Sequence, residues 1–132
     1  MRVLALDYGS ARCGCALSDP TGTIVTPIET VVRPASKRGL RTLRDLVSDH
    51  QVELVVVGLP LSLSGGDTEQ TRETRDFARR LSLRLGDSVP VEMHDERFTT
   101  LMAQRMQGAF SSSEDSRAAA HLLQSWLATH SR

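Results

Sequence analysis

Apolar residues fall in short runs over the first third of the chain and recur at helical spacing afterwards. Residues 2–8 and 13–18 read as two strands, joined by a tight connection around Gly9 to Arg12. Residues 23–32, TIVTPIETVV, are rich in β-branched types and predict a third strand. Pro27 puts that strand at a sheet edge, because proline lacks the donor that a central ladder needs. Three strands in close succession predict an antiparallel meander. Leu40, Leu43, Leu46 and Val47 then recur at helical spacing and predict a helix over 37–49. ELVVVGLP, at 53–60, is nearly all apolar, the pattern of a strand buried on both faces. LSLSGGDTEQ reads as a loop whose Asp67 and Gln70 open a second helix reaching about Leu85. Phe77, Ala78, Leu81 and Leu85 face inward on it, while arginines at 72, 75, 79, 80 and 84 alternate with Glu69, Glu73 and Asp76 on a solvated face. VPVEMHDE predicts a fifth strand ending on acids, and two helices, over 99–108 and 114–129, complete the chain. The order βββαβαβαα predicts an α/β fold, a five-stranded mixed sheet flanked by helices.

Composition narrows the class. A chain of 132 residues fits one compact domain over 1–132. No run approaches the roughly 20 apolar residues of a membrane helix, and the N-terminus lacks a signal-peptide pattern. A soluble, cytoplasmic protein without a membrane partner is expected. Cys13 and Cys15 lie two apart on one strand, so they share a face and are poorly placed to bridge. They have no companion spacing for zinc, which leaves small buried thiols as the reading.

The formal net charge is zero, which argues against a strong attraction to nucleic acid over the whole surface. The charge is nonetheless uneven. Arg33, Lys37, Arg38, Arg41 and Arg44 fall together with no acid before Asp45, and Lys37 is the only lysine. A solvated helix face explains such a run; so does a phosphate contact, since arginine presents a fork of donors suited to phosphate.

Asp7 is the first chemical anomaly. Aspartate is depleted in strands, and a buried charge needs a partner. Asp95 and Glu96 end the fifth strand, and Asp115 begins the last helix. Asp115 lies four residues before Ala119 and seven before Leu122, on the stripe that continues through Leu123, Trp126 and Leu127. Each acid has a plain alternative: a turn residue before Gly9 for Asp7, a surface pair with Arg97 for Glu96, a capping box with Ser112 for Asp115. Taken jointly, three acids facing one point repel each other unless a cation neutralises them. Hard oxygen ligands favour magnesium or manganese, and two such ions suit phosphodiester hydrolysis.

LDYGSARCGCALSD, VVVGLPLSLSGG, HDERFTT and EDSRAAAHLLQSWL resemble, in order, the motifs of the YqgF family, also called RuvX, over nearly the whole chain. The resemblance implies an RNase H-like fold and a metal-dependent nuclease site made by Asp7, Glu96 and Asp115. It implies maturation of precursor 16S rRNA at its 5′ end, with Holliday junction cleavage in recombination or repair as the alternative. The partner would be precursor rRNA or branched DNA, and junction cleavage calls for a symmetric homodimer. Gly9 would let the substrate approach, while Arg12 or Arg97 would steady a phosphate; an ion pair with a neighbouring acid is the other reading of Arg97. His94 is expected to be a packed or solvent-exposed histidine rather than a ligand or acid, and Thr99 to cap the helix after D-E-R. Two departures stand out. Ala11 and Arg12 occupy positions usually held by a basic pair, and the short uncharged QGAFSSS replaces a longer basic segment before Asp115. Arg38 and Arg41, within the Arg33–Arg44 cluster, are candidate replacements for that grip. A non-catalytic nucleic-acid or ribosome-assembly module is the rival from another class.

Overall fold

The computed structural model describes residues 1–97 and 114–130, the side chains of residues 114 and 115 excepted. The elements are β1 (Val3–Asp7), β2 (Arg12–Ser18), β3 (Val25–Val32), α1 (Lys37–Asp49), β4 (Leu54–Leu59), α2 (Glu69–Leu85), β5 (Val91–Asp95) and α3 (Glu114–His130). The helix expected over 99–108, with Thr99 as its cap, lies outside the described residues.

The five strands form one sheet in the order β3-β2-β1-β4-β5. β1, β2 and β3 pair antiparallel as the expected meander, with β3 at the edge. β4 pairs parallel with β1, and β5 parallel with β4, which makes the sheet mixed. Alternation along the strands separates two apolar faces. Leu4, Leu6, Val55 and Val57 face Leu40 and Leu43 of α1 and Phe77 and Leu81 of α2. Cys13 and Cys15 join that side as buried thiols with no disulfide between them, although the ladder shifts register there. Val3, Ala5, Leu54 and Val56 face Ala119, Leu122, Leu123 and Trp126 of α3. β4 is buried along its whole length, as its unbroken apolar run requires. Among the described residues no helix is long and apolar enough to cross a membrane.

Local chemistry moves three boundaries. β3 begins at Val25 rather than at residue 23, because Asp19 Oδ1 accepts the backbone N–H of Thr23 (2.8 Å) and Ile24 (2.9 Å) and holds them in a turn. α2 is capped by Thr68, not Asp67: Thr68 and Thr71 exchange side-chain to backbone bonds in a reciprocal box. Asp67 instead pairs with Arg75 at 3.1 Å. β5 stops at Asp95, so Glu96 sits just beyond the strand.

Candidate active site

Because β1, β4 and β5 run parallel, their C-terminal ends share one edge of the sheet. Asp7, the Gly58–Leu59 pair and Asp95–Glu96 therefore come together there, the usual location of ligand sites in such sheets. Asp7 follows Val3 and Ala5 onto the α3 side by simple alternation. Glu96 reaches the same side across β4. A Cβ at Gly58 would stand 2.6 Å from Glu96 Oε1 and 2.9 Å from its Cγ, so the Glu96 side chain occupies the space a side chain at 58 would take. In this position its carboxyl hydrogen-bonds with that of Asp7.

Burial, the bond to Asp7 and the charges of Asp7 and Asp95 together push the Glu96 carboxyl up to about 8. Two adjacent carboxyls in a partly dry site cannot both ionise cheaply, so they share a proton near neutrality. A hard divalent cation would take that proton's place, which makes the pair chemically suited to magnesium or manganese. Among the described residues no group of three His, Cys, Asp or Glu stands close enough to hold an ion. The expected third acid, Asp115, has its backbone in the first turn of α3 and its side chain outside the described residues. The next residue, Ser116, is buried and donates its hydroxyl to the Ile28 carbonyl of β3 at 2.6 Å, which pins the start of α3 to the sheet.

Arg97 pairs with Asp95, not with Glu96 as the surface-pair reading expected. Its Nε lies 2.9 Å from Asp95 Oδ2, and the bonds hold the Asp95 carboxyl below its ordinary range. Nη1 of Arg97 also donates to the Leu63 carbonyl at 3.4 Å, tying the loop after β4 to the site. Gly9 sits in a turn so tight that a Cβ there would fall 2.7 Å from the Arg12 carbonyl oxygen. Beside this turn a cleft of about 490 Å³ opens between Gly9, Arg12, Gln70 and Glu73, floored by Tyr8. The Tyr8 ring stacks on Phe77 at 4.5 Å, and burial raises its phenol above the ordinary value. Arg12, Arg38 and Arg41 are exposed, the last two on α1. His94 is a packed histidine: its Nε2 meets Ser125 Oγ at 2.9 Å, joining β5 to α3.

Sequence reasoning missed Gly58 as a site residue. Its signal was present, since an isolated glycine inside a strand marks a close approach by another group.

The sequence model of the family described as "RuvX: Holliday junction resolvase" matches residues 1–129. The chain belongs to the RuvX family. RuvX relatives named "Putative pre-16S rRNA nuclease" include one from Mycobacterium leprae (strain Br4923), 43% identical over 96% of this chain and 72% of its own length. Another, from Corynebacterium jeikeium (strain K411), is 37% identical over 99% of this chain and 88% of its own. Among solved structures, Thermus thermophilus RuvC in complex with a Holliday junction substrate superposes with a TM-score of 0.63 at 14% identity, covering 99% of this chain and 96% of that one. The fowlpox virus resolvase with Holliday junction DNA gives 0.59 at 10% identity, covering 100% of both chains. The RuvX fold is therefore RNase H-like, as the resemblance implied.

Proposed function

We propose that this chain is a metal-dependent nuclease that hydrolyses phosphodiester bonds at the Asp7–Glu96 edge of the sheet, acting in 5′-end maturation of precursor 16S rRNA. The observation that carries the reading is the Glu96 carboxyl pressed against that of Asp7 in the space left by Gly58. Nothing in the core requires two acids there, and their mutual repulsion is relieved by a cation. The names of the relatives support the substrate.

Asp7 and Glu96, with Asp115 as the third acid, hold magnesium or manganese, in a set suited to two ions. When bound, the ions supply the Lewis acidity that phosphodiester hydrolysis needs. Gly9 keeps the turn after Asp7 free of side-chain bulk, so that a sugar-phosphate strand can approach. Arg12 and Arg97 neutralise the charge of the scissile phosphate, and Asp95 fixes the orientation of the Arg97 fork. The same reading assigns the chain a single domain over 1–132 working in the cytoplasm.

The test is Asp7→Asn, Glu96→Gln and Asp115→Asn, each assayed with magnesium and with manganese on precursor 16S rRNA, single-stranded RNA and a four-way DNA junction. Each is expected to cut at least 100-fold more slowly than the wild type. Wild-type rates in all three would refute the site, and nucleic-acid binding without cleavage by the wild type would favour the non-catalytic module. Holliday junction cleavage is the second reading, favoured by the family description. It requires a symmetric homodimer so that two strands are cut, and a protein that stays monomeric on the junction would rule it out.

A further inference from the structure

We propose that α1 and the turn leading into it form a phosphate track that holds the nucleic-acid strand beyond the scissile bond. This proposal rests on the nuclease reading only in that the same strand runs on to Asp7.

Arg12, Arg33, Lys37, Arg38, Arg41 and Arg44 are all exposed. Among the described residues none of the six makes a salt bridge. On α2, Arg75 and Arg79 are paired with Asp67 and Asp76, and the other arginines are interleaved with Glu69 and Glu73, whereas the α1 run meets no acid before Asp45. The charge order of α1 is also reversed for a helix. Lys37 and Arg38 occupy the first turn, which has no acid, and the last turn has no base. Helix dipoles disfavour cations at the start and acids such as Asp45 and Asp49 toward the end. The sequence thus gives up local helix stability for a concentrated positive surface, on a chain whose formal net charge is zero. An external polyanion is the partner that this charge complements.

Geometry joins the track to the turn that follows Asp7. The backbone N–H of Arg33 donates to the Ala11 carbonyl at 2.9 Å, within the connection that follows Asp7. Arg12 and Val32 are direct partners across β2 and β3, so Arg12 and Arg33 flank the same edge of the sheet. Ser36 caps α1 and donates its hydroxyl to the Arg33 carbonyl at 2.7 Å. A Cβ at Gly39 would fall 2.1 Å from that carbonyl oxygen, so the glycine lets the first turn of α1 lie directly against Arg33. Lys37, Arg41 and Arg44 then share one face, spanning about 10 Å at 1.5 Å per residue. That length equals about three nucleotide steps measured along a duplex axis, at 3.4 Å of rise each.

The test compares Lys37→Ala/Arg41→Ala/Arg44→Ala with the wild type by fluorescence anisotropy, in EDTA to prevent cleavage. The probes are a fluorescein-labelled single-stranded RNA of mixed sequence and a labelled four-way DNA junction, titrated across a series of salt concentrations. With three contacts removed, the slope of log affinity against log salt should fall by about 2 on the RNA and by nearly 3 on the junction. Whichever probe shows the larger loss of affinity identifies the strand chemistry the track prefers. The control Arg72→Ala/Arg79→Ala/Arg84→Ala removes equal charge from α2 and should leave both slopes near wild type. An unchanged slope in the α1 variant, or an equal fall in the α2 control, overturns the track. A wild type that cuts nothing while the α1 slopes fall refutes the nuclease reading alone; an active enzyme whose α1 slopes do not move refutes the track alone.

Discussion

Gly58→Ala introduces a methyl group where Glu96 now lies. The new Cβ would stand 2.6 Å from Glu96 Oε1, 2.9 Å from Cγ and 3.1 Å from Cδ. Ordinary contact needs about 3.5 Å, so the carboxyl must retreat by about 1 Å. The backbone of β4 has no reason to move, because the displaced atoms belong to one flexible side chain. Alanine is also favoured over glycine in a strand interior by about 0.5–1 kcal/mol. The fold should therefore keep its stability to within about 1 kcal/mol, while a misplacement of this size costs roughly 100-fold in rate. A second readout is independent of any substrate. Moved away from Asp7 and toward solvent, Glu96 should titrate well below about 8 and closer to its ordinary 4.5. Cleavage rate, urea unfolding and a carbon-13 NMR titration of Glu96 test the three statements together. A Gly58→Ala protein that cuts at the wild-type rate, with Glu96 still titrating near 8, would refute this account of the site.

Glu96→Gln tests the carboxyl pair through stability. Glu96 binds its proton more tightly folded than unfolded, so without a cation its contribution to stability is fully present below pH 4.5 and is lost as pH rises through about 8. The shift caps the effect near ~5 kcal/mol, and partial exposure with a proton shared with Asp7 reduces the expectation to about 2 kcal/mol. Urea unfolding in EDTA at pH 5 and pH 8.5 should reveal this slope in the wild type and a flatter one in Glu96→Gln; equal slopes would count against the pair. Magnesium or manganese at pH 8.5 should raise the wild-type Tm and leave that of Glu96→Gln nearly unchanged. Leu123→Ala opens a cavity under α3, where the side chain is fully buried, and should cost about 3 kcal/mol in urea unfolding. Arg97→Ala removes a partly exposed pair with Asp95, so it should cost under about 1 kcal/mol in stability while slowing cleavage, which separates a phosphate contact from a purely structural one.

Most of the fold was legible because its signals are local. Short apolar runs marked β1 and β2, Pro27 marked β3 as an edge, and an unbroken apolar run marked β4 as central. The stripe from Ala119 to Trp126 marked the face by which α3 covers the sheet. The limits of β3 and α2 were misread where short polar side chains compete for backbone groups: Asp19 captures Thr23 and Ile24, and Thr68 rather than Asp67 meets Thr71. At the site, sequence alone put Asp7 at the end of one strand and Glu96 at the end of another, and taken singly each kept an equally plain role, as a turn residue or a surface pair. The parallel pairing of β1, β4 and β5 brings the two acids together. Parallel neighbours are joined through crossovers, so their pairing links segments distant in sequence and no local pattern encodes it. Gly58 lies in β4 and Glu96 just past the end of the neighbouring parallel β5, with a whole helix between them in sequence, so the space one residue leaves for the other exists only once the core has formed. The arginines of α1 were visible in sequence as a charge run. Their tie to the turn after Asp7 depends on hydrogen bonds between distant segments, which tertiary structure alone supplies.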